Sequence, residues 1–168
     1  SEQIENVHKE LQRIITMLGI KFGELNIEIL LDKNDNVHFL ELGPRAGGNM
    51  IPIELSDIFD VDLVEANVLA AMGENPKLQP VRQSGFFTTY VLHSYKDGRF
   101  EGVSISNKIR SNVYRREIYK KTGDLVESFD GAGKAVGILF LRFDTDMELQ
   151  YFCSNHEKLV AVELMEKV

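Results

Sequence analysis

Two β-prone runs, residues 24–31 and 37–43, flank the pentapeptide Asp32-Lys33-Asn34-Asp35-Asn36, and this arrangement limits the chain's folding options more than any other. Asn and Asp side chains bond their own backbone and suit tight turns, so the segment reads as a hairpin. With the turn centred between Asn34 and Asp35, Asp32 faces Val37, Leu30 faces Phe39 and Glu28 faces Glu41. Side chains alternate along a strand, so Leu25, Ile27, Ile29 and Leu31 share the opposite, core-facing side with His38, Leu40 and Leu42. Two like charges directly opposite destabilise a sheet by about 0.2–1 kcal/mol. A divalent cation between Glu28 and Glu41 would compensate; two solvated strand glutamates are the alternative reading. A turn of odd length would break the register.

The residues after the second run add chemistry. Arg45 is a planar cationic fork suited to phosphate or carboxylate oxygens, Gly47-Gly48 lets a backbone approach a ligand closely, and Asn49 offers both donor and acceptor. Hard divalent cations prefer carboxylate oxygen, and magnesium at phosphate sites is held by one or two carboxylates plus the phosphates themselves. Glu28, Glu41, Arg45 and Asn49 together therefore read as a site for a metal-bound polyphosphate.

Around this hairpin the patterning is mixed. Ile4, Val7, Leu11, Ile14, Ile15 and Leu18 recur at helical spacing and predict an amphipathic helix over residues 2–18, ending near Gly19. Pro52–Phe59 predicts a short helix, and Asp62 with Glu65 a capping box that opens another helix running to Gly73. The stretch from Glu74 to Pro80 carries two of the four prolines and reads as a linker. Beyond it the pattern turns to strand: Phe86–Tyr95, a turn at Lys96-Asp97-Gly98, a short run near Gly102–Ile105, Asn112–Tyr119, a turn at Lys121–Asp124 and Gly137–Phe143. A helix over Asp146 to about Asn155 or beyond precedes a final segment, Leu159–Val168, of undecided type. The expected organisation is two domains, 1–79 and 80–168, of α+β class.

Composition sets further bounds. A chain of 168 residues buries roughly 70% of its unfolded surface and needs no staples. Cys153 is the only cysteine, so no intramolecular disulfide can form; it reads as a small buried hydrophobe, and a reducing cytoplasmic setting is expected. No apolar run is long enough to span a membrane. The net charge of -7 argues against general nucleic-acid binding. Residues 108–121, where basic side chains interleave with Tyr114 and Tyr119, are the local exception, and a solvated hairpin strand is the simpler reading.

Other motifs fail on spacing. Asp32–Asn36 resembles the start of a calcium loop, but Val37 stands where glycine is required and Gly43 where glutamate is. Gly131-Ala132-Gly133-Lys134-Ala135 lacks both the glycine spacing and the hydroxyl of a phosphate loop and reads as a turn. His8, His38, His93 and His156 are scattered, with no serine elbow nearby, and His38 reads as an ordinary strand residue.

The run Gly19-Ile20-Lys21-Phe22-Gly23-Glu24-Leu25-Asn26-Ile27-Glu28, then a hairpin, then Phe39-Leu40-Glu41-Leu42-Gly43-Pro44-Arg45-Ala46-Gly47-Gly48-Asn49, resembles the carboxy-terminal part of the ATP-grasp ligases. The likeness covers residues 1–75 well. Residues 84–160 resemble, more loosely, the extra domain of the biotin-carboxylase-like, carbamoyl-phosphate-synthase-like and purine-synthesis branches; an amino-acid ligase is equally open. The implied fold is the carboxy-terminal half of an ATP-grasp domain, an antiparallel sheet with helices, followed by a small β-rich domain.

The same resemblance implies that Glu28 and Glu41 bind magnesium (manganese could replace it) bridging ATP phosphates, that Arg45 meets a phosphate or substrate carboxylate, and that Asn26 and Asn49 give supporting contacts. The implied partners are ATP and a small carboxylate, activated as an acyl phosphate that an amine captures. Where many members carry asparagine, Gly43 removes a third ligand. The lysines and adenine-binding hinge of such enzymes have no counterpart here, so a carboxy-terminal fragment of a ligase, inactive alone, is expected. A non-catalytic nucleotide-binding or assembly module is the alternative, and residues 84–160 are a candidate homodimer surface.

Overall fold

The computed structural model describes residues 2–34 and 36–165. Asp35 at the centre of the predicted turn, the opening Ser1 and the last three residues of the undecided final segment lie outside the described residues. The described chain is α+β, with four α-helices and antiparallel sheets, and it divides into two compact units, Ser1–Val81 and Arg82–Val168.

In the first unit, α1 (Glu2–Leu18) follows the apolar periodicity. It stops at Gly19, whose φ of 66° is the left-handed conformation that glycine adopts cheaply. Gly19 N–H donates to Thr16 O at 3.2 Å and Ile20 N–H to Ile15 O at 3.1 Å, the paired closure of a Schellman cap. The hairpin is β1 (Asn26–Leu31) against β2 (Val37–Gly43). Two short helices follow, α2 (Ile51–Phe59) and α3 (Leu63–Ala71). Asp62 caps α3, its Oδ1 accepting the Glu65 N–H at 2.8 Å, which is one half of the predicted box.

The hairpin register differs from the expected one over its outer half. Leu30 pairs with His38 and Leu31 with Val37, not Leu30 with Phe39 and Asp32 with Val37. A bulge between Glu28 and Ile29 takes up the extra residue, Leu40, and restores the expected pairing of Glu28 with Glu41. The odd loop thus breaks the register near the turn, and the bulge repairs it before the glutamates. His38 consequently lies on the glutamate side, not the core side. The side expected to be core is open, with Ile29 and Leu31 41% and 48% exposed.

The second unit contains β3 (Phe86–Leu92), β4 (Gly98–Ile105), β5 (Val113–Ile118), β6 (Leu125–Val126), β7 (Gly137–Phe143), α4 (Asp146–Leu159) and β8 (Val160–Leu164). β4 starts at Gly98, earlier than expected, and the undecided final segment supplies β8. One sheet has the order β3-β7-β5 and the other β6-β4-β8. Central β7 is buried at every position but Arg142, and its continuous apolar run fits a strand covered on both faces. Leu92, Phe100, Val126, Leu139, Leu141 and Phe152 form one core with residues of both sheets and α4. Thr145 and Glu148 close a full capping box on α4.

Cys153 is exposed, which corrects the expectation of a buried hydrophobe. Helix α4 buries Phe152 and Leu159, and Cys153, one residue on, is rotated off that stripe. The basic stretch forms the edge strand β5, exposed along most of its length, with the Arg115 guanidinium 5.7 Å from the Phe140 ring centre. Ala132–Lys134 is a short 3-10 helix flanked by Gly131 and Ala135, the turn that the spacing implied. Among the described residues no helix is long and apolar enough to cross a membrane.

Candidate functional site

The repaired register builds one polar face on the hairpin. Glu28 is directly opposite Glu41, and Asn26 directly opposite Gly43; alternation places Asn26 with Glu28 and Gly43 with Glu41. Both glutamates are exposed. Three of the five predicted site residues, Asn26, Glu28 and Glu41, therefore share a face.

The turn that holds this face is pinned by Asp32. Its carboxylate accepts the N–H of Asn34 at 2.8 Å, the N–H of Asn36 at 3.0 Å and the Asn36 amide at 2.9 Å. His38 Nε2 lies 3.3 Å from Asp32 Oδ2. The side-chain and backbone bonds from Asn36, then that from Asn34, hold the Asp32 carboxyl well below the usual carboxylate range. Asp32 thus builds the turn.

Arg45 reaches back toward the same face. Its N–H donates to Gly43 O at 2.8 Å and its Nη1 to Ala46 O at 2.9 Å. A Cβ on Gly43 would meet Arg45 Cγ at 3.6 Å and Nε at 3.7 Å, so the arginine stem occupies the space beside the missing side chain. Asn49 is not on the strand face. It lies in the turn into α2, where Asn49 (φ 50°) and Met50 (φ 57°) are consecutive left-handed residues. Asparagine tolerates that conformation; methionine there is strained, and such strain clusters at ligand-binding turns. Gly47 is packed tightly, its notional Cβ 3.2 Å from Ile51 Cβ, whereas Gly48 opens onto free space.

Carboxylates elsewhere in this unit are perturbed. Burial, and then the neighbouring Asp57, push the Glu54 carboxyl up. Burial pushes Glu24 up, and its Oε2 is buried with no hydrogen-bond partner among the described residues. No group of three or more His, Cys, Asp or Glu residues that could hold a metal occurs among the described residues. A cation at the hairpin would have two carboxylate ligands from this face.

Sequence reasoning missed the left-handed Met50, the folding of Arg45 over Gly43 and the orphaned Glu24 oxygen. A Gly-Gly pair before a helix signals a special turn, but nothing in the residue types shifts the strain onto a methionine.

No family model matches the chain. In sequence it is 34% identical over 100 residues to the uncharacterized protein y4rH of Sinorhizobium fredii, a stretch covering 60% of this chain and 20% of that one. In structure it resembles phosphoribosylglycinamide synthetase from Anaerococcus prevotii, with a TM-score of 0.77 and 18% identity over 97% of this chain and 42% of that one. L-amino acid ligase from Bacillus licheniformis matches with a TM-score of 0.76 and 17% identity over 99% and 42%. The biotin carboxylase domain of the Hydrogenobacter thermophilus 2-oxoglutarate carboxylase, a dimer with MgADP, ADP and bicarbonate, matches at 0.68 and 15% over 99% and 37%. These are ATP-grasp enzymes, and the chain has the fold of a part of them along nearly its whole length. It spans less than half the length of the solved structures it matches.

Proposed function

We propose that this chain provides the metal-binding wall of the nucleotide site in an ATP-dependent carboxylate ligase of the ATP-grasp type. The observation that carries this reading is the direct opposition of Glu28 and Glu41 on an exposed face, kept in register by a bulge although the turn shifts every pair outside it.

The donor set suits magnesium. Two carboxylates plus phosphate oxygens and water is the way this ion is usually held in phosphate sites, and bound there it would neutralise phosphate charge during transfer to the carboxylate substrate. Glu28 and Glu41 would hold it, and Asn26 stands beside them with an amide oxygen. Arg45 spends Nη1 on Ala46 O and retains guanidinium donors for an anionic oxygen, a phosphate or the substrate carboxylate. The open space at Gly48 would admit a ligand against the backbone, and the Asn49 amide at that turn would donate to it. The chemistry proposed for the whole enzyme is attack of a carboxylate on the γ-phosphate, giving an acyl phosphate that an amine captures. Such transfer rests on positioning and charge neutralisation, so no nucleophilic side chain is required.

The test is ADP release by the complete ligase. Glu28→Gln and Glu41→Gln are each expected to lower it about a hundredfold or more, while Glu74→Gln, at an exposed position after α3, is expected to leave it unchanged. Activity indifferent to both hairpin changes would refute the assignment. The arginine stem beside Gly43 favours a second reading, in which a site short of one ligand binds nucleotide without turning it over. Calorimetry with ATP and magnesium separates the two: Glu41-dependent binding with no ADP formed by the complete protein supports that second reading.

A further inference from the structure

The second unit contains a cleft of about 490 Å³ that the hairpin chemistry does not use. Its lining combines the end of β3 and the following loop (Tyr90, His93, Tyr95, Lys96), Glu157 from the last turn of α4, and the apolar strand β8. That volume lies in the range of small-molecule sites, which are mostly apolar with a few placed polar groups.

The loop is preformed. Ser94 Oγ donates to Lys96 O at 2.9 Å and accepts the Lys96 N–H at 3.0 Å. Phe129 N–H donates to Ser94 O at 2.8 Å, Ser128 N–H to Asp97 Oδ1 at 2.7 Å and Ser128 Oγ to Tyr95 O at 3.0 Å. On this pinned loop Tyr95 stays 68% exposed, although its ring is edge-on to His93 at 5.0 Å. An aromatic ring held in the open by five hydrogen bonds is costly to order unless it meets something.

The polar groups have opposite signs. Glu157 is an anion close enough to Tyr90 that it, with Tyr95, adds to the burial that raises the Tyr90 hydroxyl's pKa. Lys96 contributes a cation. His93 donates Nδ1–H to Val91 O at 2.7 Å, which leaves Nε2 as the acceptor of the neutral ring. The apolar side chains of Val160, Val162 and Leu164 also line the cleft.

An anion, a cation, aromatic faces and an aliphatic floor in one cleft match a single ligand chemistry. We propose that this cleft binds a small zwitterionic α-amino acid with an aliphatic side chain. Glu157 and the Tyr95 face take its ammonium, Lys96 takes its carboxylate, and the β8 side chains take its aliphatic group. The site lies wholly in the second unit and does not depend on the nucleotide reading.

The test titrates L-leucine into the full chain, with amide chemical shifts and tyrosine fluorescence as readouts; there are five tyrosines and no tryptophan. Saturable binding below about 10 mM is expected, with shifts confined to residues 90–96 and 157–164. 4-Methylpentanoate, which lacks the ammonium, and 3-methylbutylamine, which lacks the carboxylate, are each expected to bind at least about tenfold more weakly. Glu157→Gln is expected to remove the preference over 4-methylpentanoate, and Lys96→Met the preference over 3-methylbutylamine. Tyr95→Ala, at an exposed position, is expected to weaken leucine without unfolding the unit. Absence of saturation, equal binding of all three probes, or leucine binding unchanged in both charge variants would overturn the proposal.

Discussion

The two units hold their elements together by different means. After Arg82, Leu92, Val126, Val136, Leu139 and Leu141 are fully buried in a core shared by both sheets and α4, and Phe140 is fully buried outside that cluster, its ring near Tyr114. Before it, Ala66 is the one buried hydrophobic among the described residues, while Leu18, Leu40 and Met72 stand more than half exposed. The first unit is specified locally, by a Schellman cap, an Asp-built turn, a bulge and a helix N-cap. The second is specified by burial. Local devices are each worth about a kilocalorie or less, whereas a buried large side chain is worth several.

The largest expected effect follows directly. Phe140→Ala, at the centre of β7, is expected to cost about 3–5 kcal/mol in chemical denaturation. Leu40→Ala, at the exposed bulge, is expected to cost under about 1 kcal/mol. Equal costs would erase the contrast between the units. Next in size is Gly137→Ala. A Cβ there would collide with the Glu117 carbonyl oxygen, so loss of β5 pairing is expected, read as lost amide protection at residues 113–118; Gly48→Ala, facing open space, serves as the tolerant counterpart.

A smaller effect tests the hairpin face. Without divalent cation, Glu28→Gln is expected to stabilise the first unit by about 0.2–1 kcal/mol by removing the like-charge pair. Magnesium in excess is expected to stabilise the native protein and leave the variant unchanged, read as thermal midpoints with and without the ion.

The smallest effects are pH-dependent. Because Glu54 has a raised carboxyl pKa in the folded state, its ionised form opposes folding. Glu54→Gln is therefore expected to raise the midpoint slightly near neutral pH, and the gain to vanish as pH falls below the unfolded-state value, where the native side chain is protonated in both states. Asp32 has the opposite sign. Its lowered pKa stabilises the turn above the unfolded-state value, and that support is lost as pH falls through the folded-state value. The Asn34 and Asn36 amides should report the loosening.

The contrast between units also explains what was legible in the sequence. Caps and turns announce themselves through particular residues: Gly19 ended α1, Asp62 with Glu65 opened α3, and Asp32 and Asn36 marked the hairpin. The run Gly137–Phe143 showed a strand because it is apolar at nearly every position. The bulge at Leu40 was not legible, since a leucine in an apolar strand looks the same whether paired or extruded. The strand β6, two residues long, and β8 carry too little pattern to separate from loop or helix. Cys153 was misplaced because residue type alone cannot say which side of the α4 stripe it occupies. At the site, Glu28, Glu41 and Asn26 were readable as alternating strand positions, while the strained Met50 and the reach of Arg45 over Gly43 exist only in three dimensions.

The most direct measurement follows paramagnetic broadening of backbone amides as manganese and ATP are added together to the full chain. Broadening centred on Asn26, Glu28, Glu41 and Gly43, and abolished by combining Glu28→Gln with Glu41→Gln, is the expected result. Broadening that persists in the double variant, or that centres on the second unit, would contradict the assignment of the hairpin as the metal-binding wall.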